Sequence, residues 1–151
     1  MVMVIGGIMA LVMTCQFVAE YRFRTALKNQ ANVLEDAQLA MNHLARVLRF
    51  AKPATVAVTN DSNYSTIVNA NIEGGHLSAM PSLTHVVYRR AIATDSIEYI
   101  SGSGNPAVIA RNVTGFTCSW DLSKNEFTIT LTTGTGGKKS SLETKILALG
   151  A

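Results

Sequence analysis

The sequence predicts an α+β fold, in which one long N-terminal helix, apolar and then amphipathic, packs on a C-terminal antiparallel β-sheet. Apolar residues recur at helical spacing up to Lys52, and no proline occurs before Pro53. After Pro53, apolar and polar residues alternate with a period of two, which is typical of strands with one solvated face. The 151 residues are enough for one domain with a core and too few for two.

The helix opens with residues 1–19, a segment that contains no charged side chain. About 20 apolar helical residues cross the core of a bilayer, so this segment is predicted to be an uncleaved membrane anchor. A cleaved secretory signal would need a basic region before the apolar stretch, and Met13-Thr14 before Cys15 fits a lipoprotein signal poorly. The predicted anchoring residues are Val4, Ile5, Ile8, Leu11 and Val12.

Residues 20–52 are predicted to continue the same helix as an amphipathic half. Its apolar positions follow one helical face, with spacings of three and four residues: Leu27, Ala31, Leu34, Ala37, Met41, Leu44 and Leu48. Because the residue before a proline disfavours the helical region, the helix is predicted to end near Lys52. The predicted parts are therefore an anchor, 1–19, an amphipathic half, 20–52, and a β-sheet domain, 53–151.

The alternating stretches after Pro53 are predicted to be strands of one antiparallel sheet. They are Thr55–Thr59, Ser65–Ile72, His85–Ala91, Ser96–Ile100, a short edge strand Ala107–Val113, Phe116–Asp121, Glu126–Thr132 and Leu142–Leu149. The segment Leu122–Asn125 is predicted to join its two neighbouring strands as a hairpin turn. Phe116 and Trp120 alternate with polar residues and are expected to belong to the core.

The net charge of +3 is mild, and the basic residues are scattered over a predicted solvated surface. No stripe alternates bases with aromatic residues, so nucleic-acid binding is not expected. The bases Arg22, Arg24 and Lys28 follow the apolar segment, and the positive-inside rule would keep that side cytoplasmic. This argues against export of the β domain, and the sequence leaves that conflict open.

No constellation of residues predicts catalysis, a cofactor, a metal or a small-molecule substrate. The three histidines do not share metal-ligand spacing: His43 is predicted to be solvated on the polar face of the helix, and His76 to lie in a loop. The aspartates Asp61, Asp95 and Asp121 are predicted to lie in separate, solvated turns. Cys15 and Cys118 are not predicted to pair, because one lies in the apolar helix and the other in a strand.

Three stretches carry a resemblance to a known family: Met1–Val12, the helix end Ala40–Ala51, and Val108–Trp120. Together with the order of parts, they resemble type IV pilins and the pseudopilins of type II secretion, and most of all the minor J-class pseudopilins and W-class minor pilins. The resemblance implies a non-enzymatic, minor filament subunit whose partners are other pilin-like subunits and the inner membrane. It places the β domain in the periplasm or outside the cell.

The sequence also departs from the family pattern. Family members are cut after a glycine and before a phenylalanine or methionine, with a glutamate four residues later, and none of this stands ahead of Met1. We therefore expect the sequence to be truncated or its start misassigned, and we transfer no processing site and no assembly glutamate. The paired C-terminal cysteines of many major pilins are absent, which favours a pseudopilin or a minor subunit.

Small residues in the apolar segment predict a helix-packing site. Gly6, Gly7 and Ala10 would let a neighbouring helix approach closely, although the two glycines are equally compatible with a tolerated flexible point. The alternative function is a single-span membrane protein whose small β domain binds a ligand or a partner, and an exported enzyme is a third reading.

Overall fold

The computed structural model describes residues 2–73, 83–135 and 138–149, with side chains described for 12–72, 84–134 and 139–149. One helix, α1 (Val2–Leu48), precedes every strand. The strands are β1 (Ala57–Thr59), β2 (Tyr64–Glu73), β3 (Leu83–Ala91), β4 (Ser96–Ser101), β5 (Ala107–Ala110), β6 (Val113–Asp121), β7 (Glu126–Thr135) and β8 (Lys138–Leu147). The predicted α+β class, a long N-terminal helix packed on antiparallel β-structure, is confirmed.

The helix ends at Leu48, short of the predicted end at Lys52. Arg49 and Phe50 form a turn, and the two residues that follow pair with β2 instead of continuing the helix. Ala51 forms an isolated antiparallel bridge with Ile72, and the Lys52 N–H donates to the Asn71 carbonyl at 2.9 Å. Strand pairing with β2 therefore sets the end of the helix.

The predicted strand Thr55–Thr59 is shorter in the structure, because a single 3₁₀ turn, Pro53–Thr55, occupies its start. Proline suits the first position of a helical turn, where its missing N–H is not needed. The Thr55 hydroxyl donates to the Lys52 carbonyl at 2.9 Å and accepts the Asn71 N–H at 3.0 Å. Because of this turn, β1 begins only at Ala57.

The strands form two antiparallel sheets in place of the single predicted sheet. The larger has the order β1-β2-β3-β4-β5, and the smaller has the order β6-β7-β8. The break divides the predicted edge strand Ala107–Val113, since Ala110 ends β5 and Val113 opens β6. Asn112 lies between them with φ 57°, a left-handed conformation that asparagine tolerates better than most residues and that turns the chain out of the first sheet.

One core lies between the last third of α1 and both sheets. From the helix it takes Val33, Ala37, Ala40, Met41, Leu44, Val47 and Leu48, all buried. The apolar face of the helix was predicted to include Leu27 and Ala31 as well, but this prediction is wrong for the buried face, because both residues are exposed. The predicted core residue Phe116 is 2% exposed, and Trp120 is partly buried against Phe127, with ring centroids 4.3 Å apart.

Arg90 connects the two sheets, although the scattered distribution of the basic residues predicted that it is solvated. Its side chain is buried, and its Nε donates to the Val113 carbonyl of β6 at 2.7 Å. Its other nitrogens reach the Ser65 hydroxyl at 3.3 Å and the Asp95 carboxylate at 2.5 Å. Asp95 is therefore an ion-pair partner, not a freely solvated turn residue.

The chain divides into two compact units, residues 1–32 and residues 33–151. The first unit consists of helix alone. The second unit contains the C-terminal part of α1 and both sheets, so the last turns of the helix belong to the same unit as the β-structure.

Candidate functional site

The most prominent surface feature of the described chain is a run of uncovered apolar side chains on α1. Met13 is 59% exposed, Phe17 71%, Tyr21 73%, Phe23 61% and Leu27 46%. Large apolar side chains that are singly exposed need no explanation, but a contiguous set on one element indicates a surface for protein or membrane contact. We call residues 12–27 the exposed apolar segment.

Charged residues enter the exposed apolar segment only at its C-terminal part. The Arg24 guanidinium bonds the Glu20 carboxylate at 2.6 Å, one helical turn away. Both side chains are largely exposed, at 77% and 55%. Met13, Phe17 and Tyr21 follow one another at intervals of four residues, so they lie on the same side of the helix. The pattern gives a surface that is apolar first and mixed apolar and ionic further along.

The predicted packing and anchoring residues lie at the start of this helix. The backbone is helical through Gly6, Gly7 and Ala10. Their side-chain environments, and those of the predicted anchor residues Val4, Ile5, Ile8 and Leu11, fall outside the described part of the structure. Val12 is described and is 48% exposed. Within the described residues, no helical stretch is both long and apolar enough to cross a membrane.

His43 is not solvated as predicted, because it lies in an aromatic cluster between α1 and the larger sheet. Its Nδ1 is 3.0 Å from the hydroxyl of Tyr88, and its ring meets Tyr99 edge-on at 4.9 Å. Burial, reinforced by the nearby Arg46 charge, lowers the pKa of His43 from its usual 6.5. Burial also raises the pKa of Tyr88. Both groups are therefore neutral at pH 7, and the imidazole tautomer determines which of them donates in this hydrogen bond.

The Tyr99 hydroxyl in the same cluster is buried and has no hydrogen-bond partner among the described residues. A hydroxyl without a partner costs stability, and the surrounding rings recover part of that cost through aromatic contact. Tyr88 and Tyr99 have centroids 5.0 Å apart. The cluster packs α1 against the larger sheet.

An open groove of about 450 Å³ lies beside the start of β2 and the β3–β4 turn. Tyr64, Ile92 and Glu98 line it, together with small and polar neighbours. The Arg89 guanidinium stacks 4.0 Å above the Tyr64 ring and bonds Glu98 at 2.8 Å. This arrangement gives the groove an aromatic wall beside an ion pair, suited to contact with a polar or peptide-like group.

The described residues offer no catalytic or metal-binding cluster. No group of three or more histidine, cysteine or acidic side chains could hold a metal ion among them. Cys15 and Cys118 are both free, and burial raises the pKa of Cys118 to about 12, which leaves the thiol unreactive. Asp61 and Asp121 accept hydrogen bonds within their own turns. His76 lies outside the described residues.

Sequence reasoning missed three features. They are the His43–Tyr88 hydrogen bond, the hydrogen bond from Arg90 to the smaller sheet, and the position in the helix at which burial begins. The first two join residues far apart in sequence, and nothing local to either partner signals them. The third carried no local signal either, because the second row of apolar residues formed by Val33, Ala40 and Val47 continues upstream through Ala26, which is exposed.

Comparison of the chain with protein-family models, with curated proteins and with solved structures finds no match.

Proposed function

We propose that this chain is a non-enzymatic structural subunit of a pseudopilus or type IV pilus-like filament, most simply a minor subunit. It would be held by residues 1–19 in the inner membrane, with the β domain in the periplasm or outside the cell. In the filament, the N-terminal helices of neighbouring pilin-like subunits would pack together, and the β domains would face outward.

One observation carries the proposal: α1 runs without a break through a segment whose large apolar side chains are exposed. Phe17 and Tyr21 are more than two-thirds exposed, whereas Leu44 and Leu48 on the same helix are fully buried. Burying such side chains stabilises by about 1.5–3 kcal/mol each, so the exposed apolar segment favours contact with lipid or with other helices. The resemblance of Ala40–Ala51 and Val108–Trp120 to minor pilin-like subunits supports the same function.

The alternative function is a single-span anchored protein whose β domain binds a ligand or partner. The groove beside Tyr64 and Ile92 is the feature that favours it. The two functions differ in what the exposed apolar segment contacts. A filament subunit places it against other pilin-like helices, and a single-span protein leaves it in lipid.

Crosslinking through single cysteines distinguishes the two. In a background with Cys15 and Cys118 replaced by serine, single cysteines at Ile8, Leu11 and Phe17 should give subunit–subunit crosslinks in cells that express the gene in its full reading frame. A cysteine at Ser123, in the exposed β6–β7 turn, is the control and should give none. Gly7→Leu should weaken the helix crosslinks, because a larger side chain at a close-packing position keeps helices apart.

The filament function would be abandoned if membranes contain the protein but none of the helix cysteines crosslink. Pull-downs from the same membranes that return no pilin-like subunit would add to that conclusion. Gly7→Leu should leave the near-ultraviolet signal of Trp120 unchanged, since the β domain does not depend on residue 7.

A further inference from the structure

Strand β8 is a long edge strand with an unpaired side. It pairs with β7 without a break from Glu126↔Leu147 to Thr135↔Lys138, and β7 is its only neighbour in the sheet among the described residues. An edge of this length presents a row of N–H and C=O groups that can pair with another strand. Natural sheet edges that stay unpaired are normally short, bulged, covered or charged. Strand β8 is neither short nor bulged, but it carries charges.

Two hydrogen bonds establish which residues point outward. The Ala148 N–H donates to the Asn125 carbonyl at 2.8 Å, on the β7 side. The Leu149 N–H donates to the Arg49 carbonyl at 2.7 Å, on the opposite side. Because inward and outward groups alternate along an antiparallel strand, the odd-numbered residues direct their backbone groups outward. These residues are Lys139, Ser141, Glu143, Lys145 and Leu147.

The outward residues also carry a charge pattern that is complementary to itself. Glu143 is exposed and has no ion pair among the described residues, whereas Lys145 is 63% exposed and lies 3.3 Å from Glu126. In an antiparallel pair, outward residues must meet outward residues. A two-fold axis at Glu143 or at Lys145 would set like charges opposite each other, and an axis at Thr144 sets Glu143 opposite Lys145 twice.

We propose that β8 pairs with β8 of a second copy of this chain, antiparallel and with the two-fold axis at Thr144. Pairing from Ser141 to Leu147 would form about eight backbone hydrogen bonds, because each outward pair exchanges two. Each Lys145 would lie between Glu126 of its own chain and Glu143 of the second copy. On the face of the sheet that is turned toward the core, Leu142 would lie opposite Ile146 of the second copy, and the apolar face would continue across the junction.

The charges explain why a second copy is the occupant and not an arbitrary strand. Lysine and glutamate on an edge oppose pairing with strands that place like charges or apolar residues opposite them. A strand with the complementary order of charges removes that penalty and adds favourable pairs of opposite charge, and β8 itself has this order when it runs antiparallel. The pairing does not depend on the filament function, because it uses no residue of α1.

Disulfide formation tests the register in full-length protein in membranes, with Cys15 and Cys118 replaced by serine. Thr144→Cys places two cysteines directly across the axis, at a Cα separation of about 4.5 Å, which a disulfide can bridge. Ser141→Cys is the matched control, since its two copies would be about 20 Å apart. The expected result is a disulfide-linked dimer for Thr144→Cys and none for Ser141→Cys.

Charge reversal tests the reason for the register. Glu143→Lys should lower the yield of the Thr144→Cys dimer by about tenfold, and Glu143→Lys with Lys145→Glu should restore it, because the paired charges are exchanged. Three results would each overturn the proposal: no Thr144→Cys dimer, an equal Ser141→Cys dimer, or a dimer that is insensitive to Glu143→Lys. An unchanged Trp120 signal verifies that each variant is folded. Crosslinks through Phe17 without any through Thr144 would leave the filament function standing while this pairing falls.

Discussion

Tyr88 provides a central contact between the larger sheet and α1. Its ring is fully buried, its hydroxyl bonds His43 on α1, and it stacks near Tyr99. A single side chain thus provides both apolar burial and a directed polar contact at one helix–sheet junction. Such a contact fixes the rotation of the helix on the sheet more strictly than aliphatic packing does.

Tyr88→Phe should lower the free energy of unfolding by about 1 kcal/mol, because it removes a hydrogen bond and leaves His43 Nδ1 without its partner. Urea unfolding followed by circular dichroism is the measurement. Tyr64→Phe is the control, since phenylalanine keeps the ring on which Arg89 stacks. Equal losses in the two variants would show that the Tyr88 hydroxyl contributes nothing specific.

His43 should make the domain sensitive to mild acid. Its pKa in the folded chain is below the usual 6.5, so the unfolded chain takes up a proton first as the pH falls. The stabilisation is complete above pH 6.5 and is lost progressively as the pH falls from 6.5 through the folded-state pKa. The urea midpoint of the wild-type chain should therefore decline below that pH more steeply than that of His43→Gln. His85→Gln, which changes an exposed histidine, should follow the wild-type curve.

At the scale of elements, α1 is a single helix with two different surroundings. From Val12 to Leu27 its large apolar side chains are exposed, and from Val33 one stripe of them is buried. The backbone is helical along the whole element, so the difference arises from what packs against it and not from the helix itself. In the second part only one side of the helix is covered, because Leu39 and Leu44 are five residues apart and have 60% and 0% exposure.

Leu44→Ala should therefore cost about 2–5 kcal/mol of unfolding free energy, since it removes buried methyl groups and leaves a cavity. Leu39→Ala, the same substitution on the same helix, should change it by less than about 0.5 kcal/mol. Thermal or urea unfolding measures both. A large loss for Leu39→Ala would mean that the outer face of the helix is covered in the folded protein.

The order and type of the elements could be predicted from the sequence, because period and turn residues are local properties. The division into two sheets could not, since it depends on the left-handed backbone at Asn112 and on the Arg90 bonds across the junction. Periodicity likewise showed which side of the helix is apolar but not how far the domain reaches along it. Leu27 and Ala31 lie on the predicted apolar face, but on the N-terminal side of the part of the helix that the β-structure covers.

For the whole molecule, the division at residues 32 and 33 predicts where the chain can be shortened. A fragment of residues 28–151 should fold cooperatively and stay in solution, because it keeps every buried helical residue, from Val33 onward. A fragment of residues 38–151 is the control. It lacks Val33 and Ala37, and should be less stable by about 2 kcal/mol.

Circular dichroism and urea unfolding of the two fragments check this. If the longer fragment is molten or aggregates, then residues before 28 contribute to the fold of the β domain, and the division into two units does not describe folding.

The junction at the end of α1 has a mechanical consequence. Immediately after the helix, the chain is fastened to β2 through Lys52 and Asn71 and to the segment after β8 through Arg49 and Leu149. A force applied along the helix would load these two hydrogen bonds at the same time. It would be shared between strands that are distant in sequence. The domain would resist detachment from its helix as a unit, instead of unzipping one hydrogen bond at a time.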